Sequence, residues 1–127
     1  MQMNLPEHPK GAHTVYLLHF SKPVQGKTHY IGLAQTARLD LRIAQHSRMA
    51  GARLTRQAVA QDAEIFLVRT WPNVDPDAER RLKTNGHFRR LCPLCREDFD
   101  PQARSEVRKL DTRKIEPANW RPYNQCV

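Results

Sequence analysis

Two short segments rich in β-branched and aromatic residues lie near the start of the chain, separated by a stretch that contains a proline and a glycine. Residues 14–20 have the sequence TVYLLHF, and residues 28–33 have the sequence THYIGL. Such segments are typical of strands, and the intervening residues 21–26 are typical of a turn. We therefore expect an antiparallel hairpin with a longer loop, in which Val15 and Tyr16 point to opposite faces of the sheet.

The pattern changes from strand to helix after this hairpin. Between residue 37 and about residue 50, Leu39 and Ile43 lie four apart on one side, and Gly51 follows where a helix can end. Residues four apart share a helix face, so a second stripe runs beside the apolar one and could face a ligand. Its members are Arg38, Arg42 and His46.

Later segments predict one further strand and three further helices. A short helix is expected at residues 53–60 and a third strand at residues 64–71. Asp-Pro pairs at the start of residues 75–83 and 100–110 predict two more helices, because aspartate can cap exposed amides and proline is tolerated at the first helical position. The predicted fold class is α+β, with a small three-stranded antiparallel sheet flanked by helices.

The length of 127 residues suits a single domain, since chains of about 100–150 residues usually form one core. We expect a lead-in at residues 1–12, the main domain at 13–95, and a C-terminal helix and tail at 96–127 that pack on the domain or trail it. No apolar run approaches the roughly 18 residues that a membrane span needs, and the first residues lack the layout of a secretory signal. A soluble cytoplasmic protein with no membrane association is therefore expected.

Basic residues outnumber acidic ones by 21 to 13, which gives a formal charge of +8 and a pI near 9.9. Residues 34–61 hold five arginines and one acid, and residues 80–96 hold six basic residues and no acid. Such blocks are typical of a phosphate-binding surface, with a solvated basic surface as the simpler alternative. The residues predicted to contact nucleic acid are Arg38, Arg42, Arg48, Arg53, Arg80, Lys83, Arg89 and Arg90.

Five residues with reactive or charged side chains follow one another along these elements. A YIG sequence begins at Tyr30, and the sequence TVY ends at Tyr16. The helix carries Arg-x-x-x-His as Arg42 and His46, and the AERRLK segment after the third strand contains Glu79. In this order the residues resemble the GIY-YIG nuclease family, with TVY as an altered first motif and Glu79 at the position of the family's metal-binding glutamate. The resemblance covers residues 13–95.

The resemblance implies a divalent-metal-dependent endonuclease that hydrolyses phosphodiester bonds of DNA. This reaction needs an activated water, a neutralised phosphate and a stabilised leaving oxygen. Glu79 would supply a hard oxygen ligand to one Mg²⁺ or Mn²⁺, which would polarise a phosphoryl or leaving oxygen. Arg42 would contact the phosphate through its planar guanidinium.

Tyr16 is the predicted residue that deprotonates or orients the attacking water. Because an unperturbed tyrosine has a pKa of about 10, this role requires positive charge nearby, from Arg42, Arg38 or the metal. His46 and Tyr30 would orient the network or relay the proton. Asn85, which follows the segment of the glutamate, is a secondary candidate for the site.

Each of these residues also has an ordinary interpretation: strand tyrosines pack in cores, single helix histidines are often structural, and arginine and glutamate are commonly surface charges. Their joint arrangement favours the nuclease. The alternative is a catalytically silent nucleic-acid-binding module with the same fold. The predicted partner is DNA, whether single-stranded, duplex or branched, with RNA as a second option; no protein partner is indicated.

Cys92 and Cys95 form a CPLC sequence with the spacing of half a zinc site. Only His87 nearby and Cys126 in the tail offer further ligands, and the chain has three cysteines in all. We favour a turn with two free thiols or a redox-sensitive pair over a structural Zn²⁺ held by Cys92, Cys95 and His87. Four other histidines show no ligand spacing and are interpreted as structural or surface residues: His8, His13, His19 and His29.

Overall fold

β1 (His13–Val24) lies at the centre of an antiparallel sheet, where it pairs with β2 (Lys27–Gln35) on one side and with β3 (Ile65–Val74) on the other. A short edge strand, β4 (Arg108–Lys109), pairs with β3 and completes the order β2-β1-β3-β4. These bounds come from a computed structural model, which describes four stretches of the chain: residues 12–48, 51–85, 88–96 and 101–112. The predicted lead-in up to residue 11 and the tail from residue 113 lie outside them.

The α+β class is confirmed, but the expected three strands become four. β4 lies where a helix at residues 100–110 was predicted; the observed helix, α5 (Pro101–Ser105), is shorter. The helix ends early because the residues after it pair with the open edge of β3. The Leu110 amide donates a 2.8 Å hydrogen bond to the Ile65 carbonyl, and the Leu110 side chain is buried. Sheet pairing and burial of Leu110 together outweigh the helical preference of the preceding residues.

The connection between β1 and β2 is a two-residue turn, not the longer loop expected from the proline and glycine. Gln25 and Gly26 both have positive φ, 51° and 77°, as a type I′ turn requires. Val24 therefore pairs with Lys27, and the strands continue beyond the predicted ends. The ladder is irregular between His19 and Val24, which absorbs the extra residues.

Helices cover both faces of the sheet. A 3-10 turn leads into α1 (Leu39–Ser47), and α2 (Arg53–Ala60) follows; the predicted helices at these positions are confirmed. After β3 come α3 (Ala78–Asn85) and the short α4 (Phe88–Leu91). Within the described stretches, every helix is too short or too polar to cross a membrane.

The alternation of side chains along β1 separates two cores. Tyr16 and its neighbours on that face pack with residues of α1 and α2, including Ile43 and Val59. Val15 and its neighbours on the opposite face pack with residues of α3 and α4. The central strand therefore carries one candidate site toward each layer of helices.

Candidate active site

A chain of hydrogen bonds runs from the middle of β1 into α2. The Tyr16 hydroxyl lies 2.5 Å from Nε2 of His46 on α1, and Nδ1 of His46 lies 2.8 Å from the Thr55 hydroxyl oxygen. Thr55 donates its own proton to the Ala52 carbonyl at 2.8 Å. Since that proton is used, the Thr55 oxygen must accept, so Nδ1 of His46 carries a proton and Nε2 accepts from Tyr16.

Two glycines allow the Tyr16 and His46 rings to lie directly against backbone. Gly32 is opposite Tyr16 in the hairpin register, and a Cβ on Gly32 would overlap the phenol ring. A Cβ on Gly51 would overlap the His46 imidazole. Gly51 was expected to end the helix; α1 ends earlier, at Ser47, and Gly51 packs on the helix's histidine. Close approach of this kind is a common reason for glycine in an otherwise regular segment.

Tyr30 completes a group of three rings. Its centroid lies 6.3 Å from that of Tyr16 and 5.1 Å from that of His46. Tyr16 and His46 are fully buried, whereas Tyr30 is half-buried and lines an open groove together with Lys27 and Lys83. Tyr30 is therefore the ring of this group that a ligand in the groove could touch.

Arg42 lies one helical turn before His46 and is partly exposed. Its Nη1 donates a 3.0 Å hydrogen bond to Oε1 of Gln45, and both residues line a shallow groove with Arg38. The two arginines of the predicted stripe thus face one open surface. A phosphate in that groove would meet two guanidinium groups.

The buried hydrogen-bonded pair is electrically neutral. Burial, with a smaller effect of Tyr30, raises the pKa of Tyr16 well above its ordinary value, and the charge of Arg42 only partly offsets this. Burial and Arg42 lower the pKa of His46 to about 3. Arg42 acts on Tyr16 in the direction that the sequence analysis required, but desolvation is larger. The pair is therefore a protonated phenol bonded to a neutral imidazole at pH 7.

Glu79 stands in the first turn of α3, with its side chain 27% exposed. Its Oε1 lies 3.1 Å from Nζ of Lys83, and its charge contributes to the raised pKa of Tyr16, so the carboxylate lies within electrostatic reach of the phenol. The structure thus groups the rings of Tyr16, Tyr30 and His46, with Arg42 one helical turn away on α1. Glu79 stands on α3, whose buried residues pack on the other face of the sheet, and it acts on Tyr16 through its charge.

The predicted nucleic-acid contacts are all at least partly exposed. Beyond the stripe on α1, Lys83 shares the Tyr30 groove, and Arg89 and Arg90 line a cavity of about 470 Å³ beside the β1–β2 turn. Arg80 forms an exposed 3.7 Å ion pair with Asp77. The side chain of Asn85, and His87 as a whole, lie outside the described residues.

A second cluster differs from expectation. His19 and His29, interpreted from sequence as structural or surface residues, lie together with Cys92 and Cys95, and one potential ligand atom of each lies within 4.8 Å of the others. This group could hold a metal ion, and thiol and imidazole donors suit Zn²⁺ better than Mg²⁺ or Mn²⁺. Burial raises the pKa of Cys92 and lowers that of His29 to about 4.

Sequence reasoning missed Thr55 and the two histidines. Thr55 had no signal, because its role depends on how α2 packs against α1. His19 and His29 are direct partners in the hairpin ladder only because the irregularity between His19 and Val24 shifts the register by three residues. A two-residue turn followed by regular pairing would place His19 opposite Gly32, so the sequence carried no signal for this pair.

Comparison of the chain with protein-family models, with curated proteins and with solved structures finds no match in any of the three.

Proposed function

We propose that this chain is a divalent-metal-dependent endonuclease that hydrolyses phosphodiester bonds of DNA at the Tyr16–His46 pair. The observation that carries the proposal is the oriented hydrogen-bond chain from Tyr16 through His46 to Thr55. A tyrosine placed only for packing does not need a histidine held in one tautomer by a buried threonine. Such orientation by a third group is typical of catalytic proton relays.

In the proposed reaction, the Tyr16 oxygen accepts a proton from the attacking water while its own proton passes to Nε2 of His46. The hydroxide formed attacks phosphorus, the bond to the leaving oxygen breaks, and that oxygen takes a proton from solvent. Burial is the main cause of the low pKa of His46, and the charge of Arg42 is the second. When Arg42 binds the phosphate, this second cause is offset. Phosphate binding would therefore strengthen His46 as a proton acceptor when the base is needed.

Glu79 fits the role of a metal ligand. It offers a partly exposed hard oxygen, and Mg²⁺ is commonly held by one or two carboxylates with water and phosphate filling its other positions. A bound divalent cation would neutralise developing negative charge on the phosphate. Glu79 must first exchange its ion pair with Lys83, which would leave Lys83 free to contact the nucleic acid.

The test is a cleavage panel of single-stranded, duplex and branched DNA, with RNA as a fourth substrate, in Mg²⁺ or Mn²⁺. Tyr16→Phe, which removes only the hydroxyl, and Glu79→Gln should each reduce cleavage by at least about 10²-fold, as expected for loss of a general base or a metal. The matched control is Glu106→Gln, which makes the same change from carboxylate to carboxamide at an exposed residue away from the site. This variant should cleave like the wild type. Equal cleavage by all four proteins would overturn the proposal.

One observation favours a second candidate, a catalytically silent nucleic-acid-binding module. Tyr16 has no solvent exposure, so water reaches its oxygen only if the surface beside Tyr30 or Arg42 opens when nucleic acid binds. The silent module would show salt-sensitive binding without cleavage and without a requirement for a divalent metal. The same panel, with binding measured beside cleavage, separates the two functions.

A further inference from the structure

Four side chains that can ligate a metal converge on the face of the sheet opposite Tyr16. His19 and His29 are register partners on β1 and β2, and Cys92 and Cys95 follow α4 more than sixty residues later. Nδ1 of His19 lies 3.1 Å from Nε2 of His29 and 3.6 Å from each sulfur, and the Cys95 sulfur lies 3.4 Å from Nε2 of His29. Four donor atoms therefore surround one point.

These separations are close to the edges of a zinc tetrahedron. Zn–N bonds of about 2.05 Å and Zn–S bonds of about 2.3 Å at tetrahedral angles place nitrogen and sulfur about 3.6 Å apart and two nitrogens about 3.3 Å apart. Three of the four nitrogen–sulfur distances here are 3.4 to 3.6 Å, and the nitrogen–nitrogen distance is 3.1 Å. The fourth nitrogen–sulfur distance and the sulfur–sulfur distance lie within 4.8 Å. Mutual hydrogen bonding explains one or two such contacts. It does not explain why four donors of a zinc-like set share one centre.

Neighbouring groups already orient the donors. The outer nitrogen of His29, Nδ1, lies 2.9 Å from the Thr28 hydroxyl oxygen, which can accept a proton from Nδ1 when Nε2 binds a metal. The amides of Leu94 and Cys95 donate hydrogen bonds to the Cys92 sulfur, which helps to fix its position. Cys92 is fully buried and His29 is 6% exposed, whereas His19 is partly exposed and Cys95 is exposed, so an ion bound here would lie at the edge of the core with its Cys95 side near the surface.

We propose that His19, His29, Cys92 and Cys95 form a closed structural site for one Zn²⁺. Two thiolates balance the charge of the ion, so the site is neutral although it lies close to Arg89. With four protein ligands no position is left for substrate, which separates this site from the cleavage chemistry proposed for Glu79. The ion would fasten the segment that carries Arg89 and Arg90 onto the β1–β2 hairpin. This site does not depend on the nuclease proposal.

The test measures metal in the full chain, expressed in zinc-supplemented medium and purified under reducing conditions without chelator. Elemental analysis should give one Zn²⁺ per chain, and replacement by Co²⁺ should give the intense visible absorption of a tetrahedral site with two thiolates. His19→Asn and Cys95→Ser should each reduce bound zinc at least about tenfold, since loss of one ligand of four removes a large part of the affinity. The Co²⁺ spectrum of the wild type still tests the site if a variant fails to fold.

Three control variants keep the result specific. His13→Asn changes another histidine of β1, His87→Asn changes the third ligand of the zinc alternative considered from sequence, and Glu79→Gln changes the proposed catalytic metal ligand. All three should keep one Zn²⁺ per chain. The proposal is overturned if the wild type binds neither Zn²⁺ nor Co²⁺, if His19→Asn and Cys95→Ser bind zinc like the wild type, or if Cys92 and Cys95 form a disulfide in the freshly purified protein.

Discussion

Tyr16 and Gly32 are register partners across the β1–β2 hairpin, and the phenol ring of Tyr16 lies directly over the Cα of Gly32. A side chain on Gly32 would meet the ring and its hydroxyl. The glycine of the YIG sequence therefore sets the position from which the Tyr16 hydroxyl reaches Nε2 of His46. Because Gly32 has no side chain, the ring of Tyr16 can occupy this position.

Gly32→Ala should destabilise the fold and misplace Tyr16. The added Cβ enters the space of a fully buried ring, and overpacking of this kind costs about 1–3 kcal/mol. Urea unfolding should give that loss, and DNA cleavage should fall with it. Gly26→Asn is the matched control, because Gly26 has open space around it and asparagine tolerates its positive φ; this variant should lose about 1 kcal/mol or less.

Thr55→Val should weaken both stability and the proposed relay. Valine has nearly the same volume but cannot accept the proton of His46 Nδ1, and a buried unsatisfied donor costs about 1–3 kcal/mol. ¹⁵N NMR of the imidazole should show a mixture of tautomers in place of a single Nδ1-protonated form. Thr55→Ser restores the hydroxyl and should recover the single tautomer; a single tautomer in Thr55→Val would contradict the hydrogen-bond assignment.

Acid should destabilise the chain through His46. Its pKa is about 3 in the folded state, lowered by burial and Arg42, against 6.5 for the ordinary side chain. Between these values the unfolded chain binds a proton that the folded chain does not, so the free energy of unfolding falls as the pH drops from about 6.5 toward 3. The limiting slope for one such group is about 1.4 kcal/mol per pH unit.

Urea unfolding at a series of pH values checks this dependence. His46→Gln should show a shallower fall than the wild type between pH 6 and pH 4, roughly by the slope of one proton. Some fall should persist in this variant, because burial also lowers the pKa of His29 to about 4. Identical slopes in the two proteins would show that His46 is not held neutral by the fold.

The pair Arg89 and Arg90 should contribute to nucleic-acid binding through charge. Both are exposed beside a cavity at the β1–β2 turn. Replacing both by alanine should reduce the slope of log K against log salt by up to about 2, because each phosphate contact contributes about 0.9. Fluorescence anisotropy with a labelled DNA duplex at several salt concentrations measures the slope. Arg56→Ala, an exposed arginine outside the predicted contact set, should leave the slope unchanged.

Local patterns in the sequence predicted much of the fold, whereas the five candidate catalytic residues came from the resemblance of their motifs to a known family. Alternation and β-branched residues indicated β1, β2 and β3, and the four-residue spacing indicated α1 with Arg42 and His46 on one side. These features depend on neighbours a few positions apart, which a sequence displays directly. The grouping of Tyr16, Tyr30 and His46 was expected from that resemblance, and the three rings lie together in the structure.

Only the tertiary structure decided the features that depend on contacts between distant segments. β4 exists because β3 offers an open edge and Leu110 a side chain to bury. Thr55 meets His46 because α2 packs beside α1. His19 and His29 meet the two cysteines because the irregularity in β1 between His19 and Val24 sets the register that pairs the histidines, and because α4 returns to that face. Local spacing shows which residues share a face of one element; packing between elements decides what that face meets.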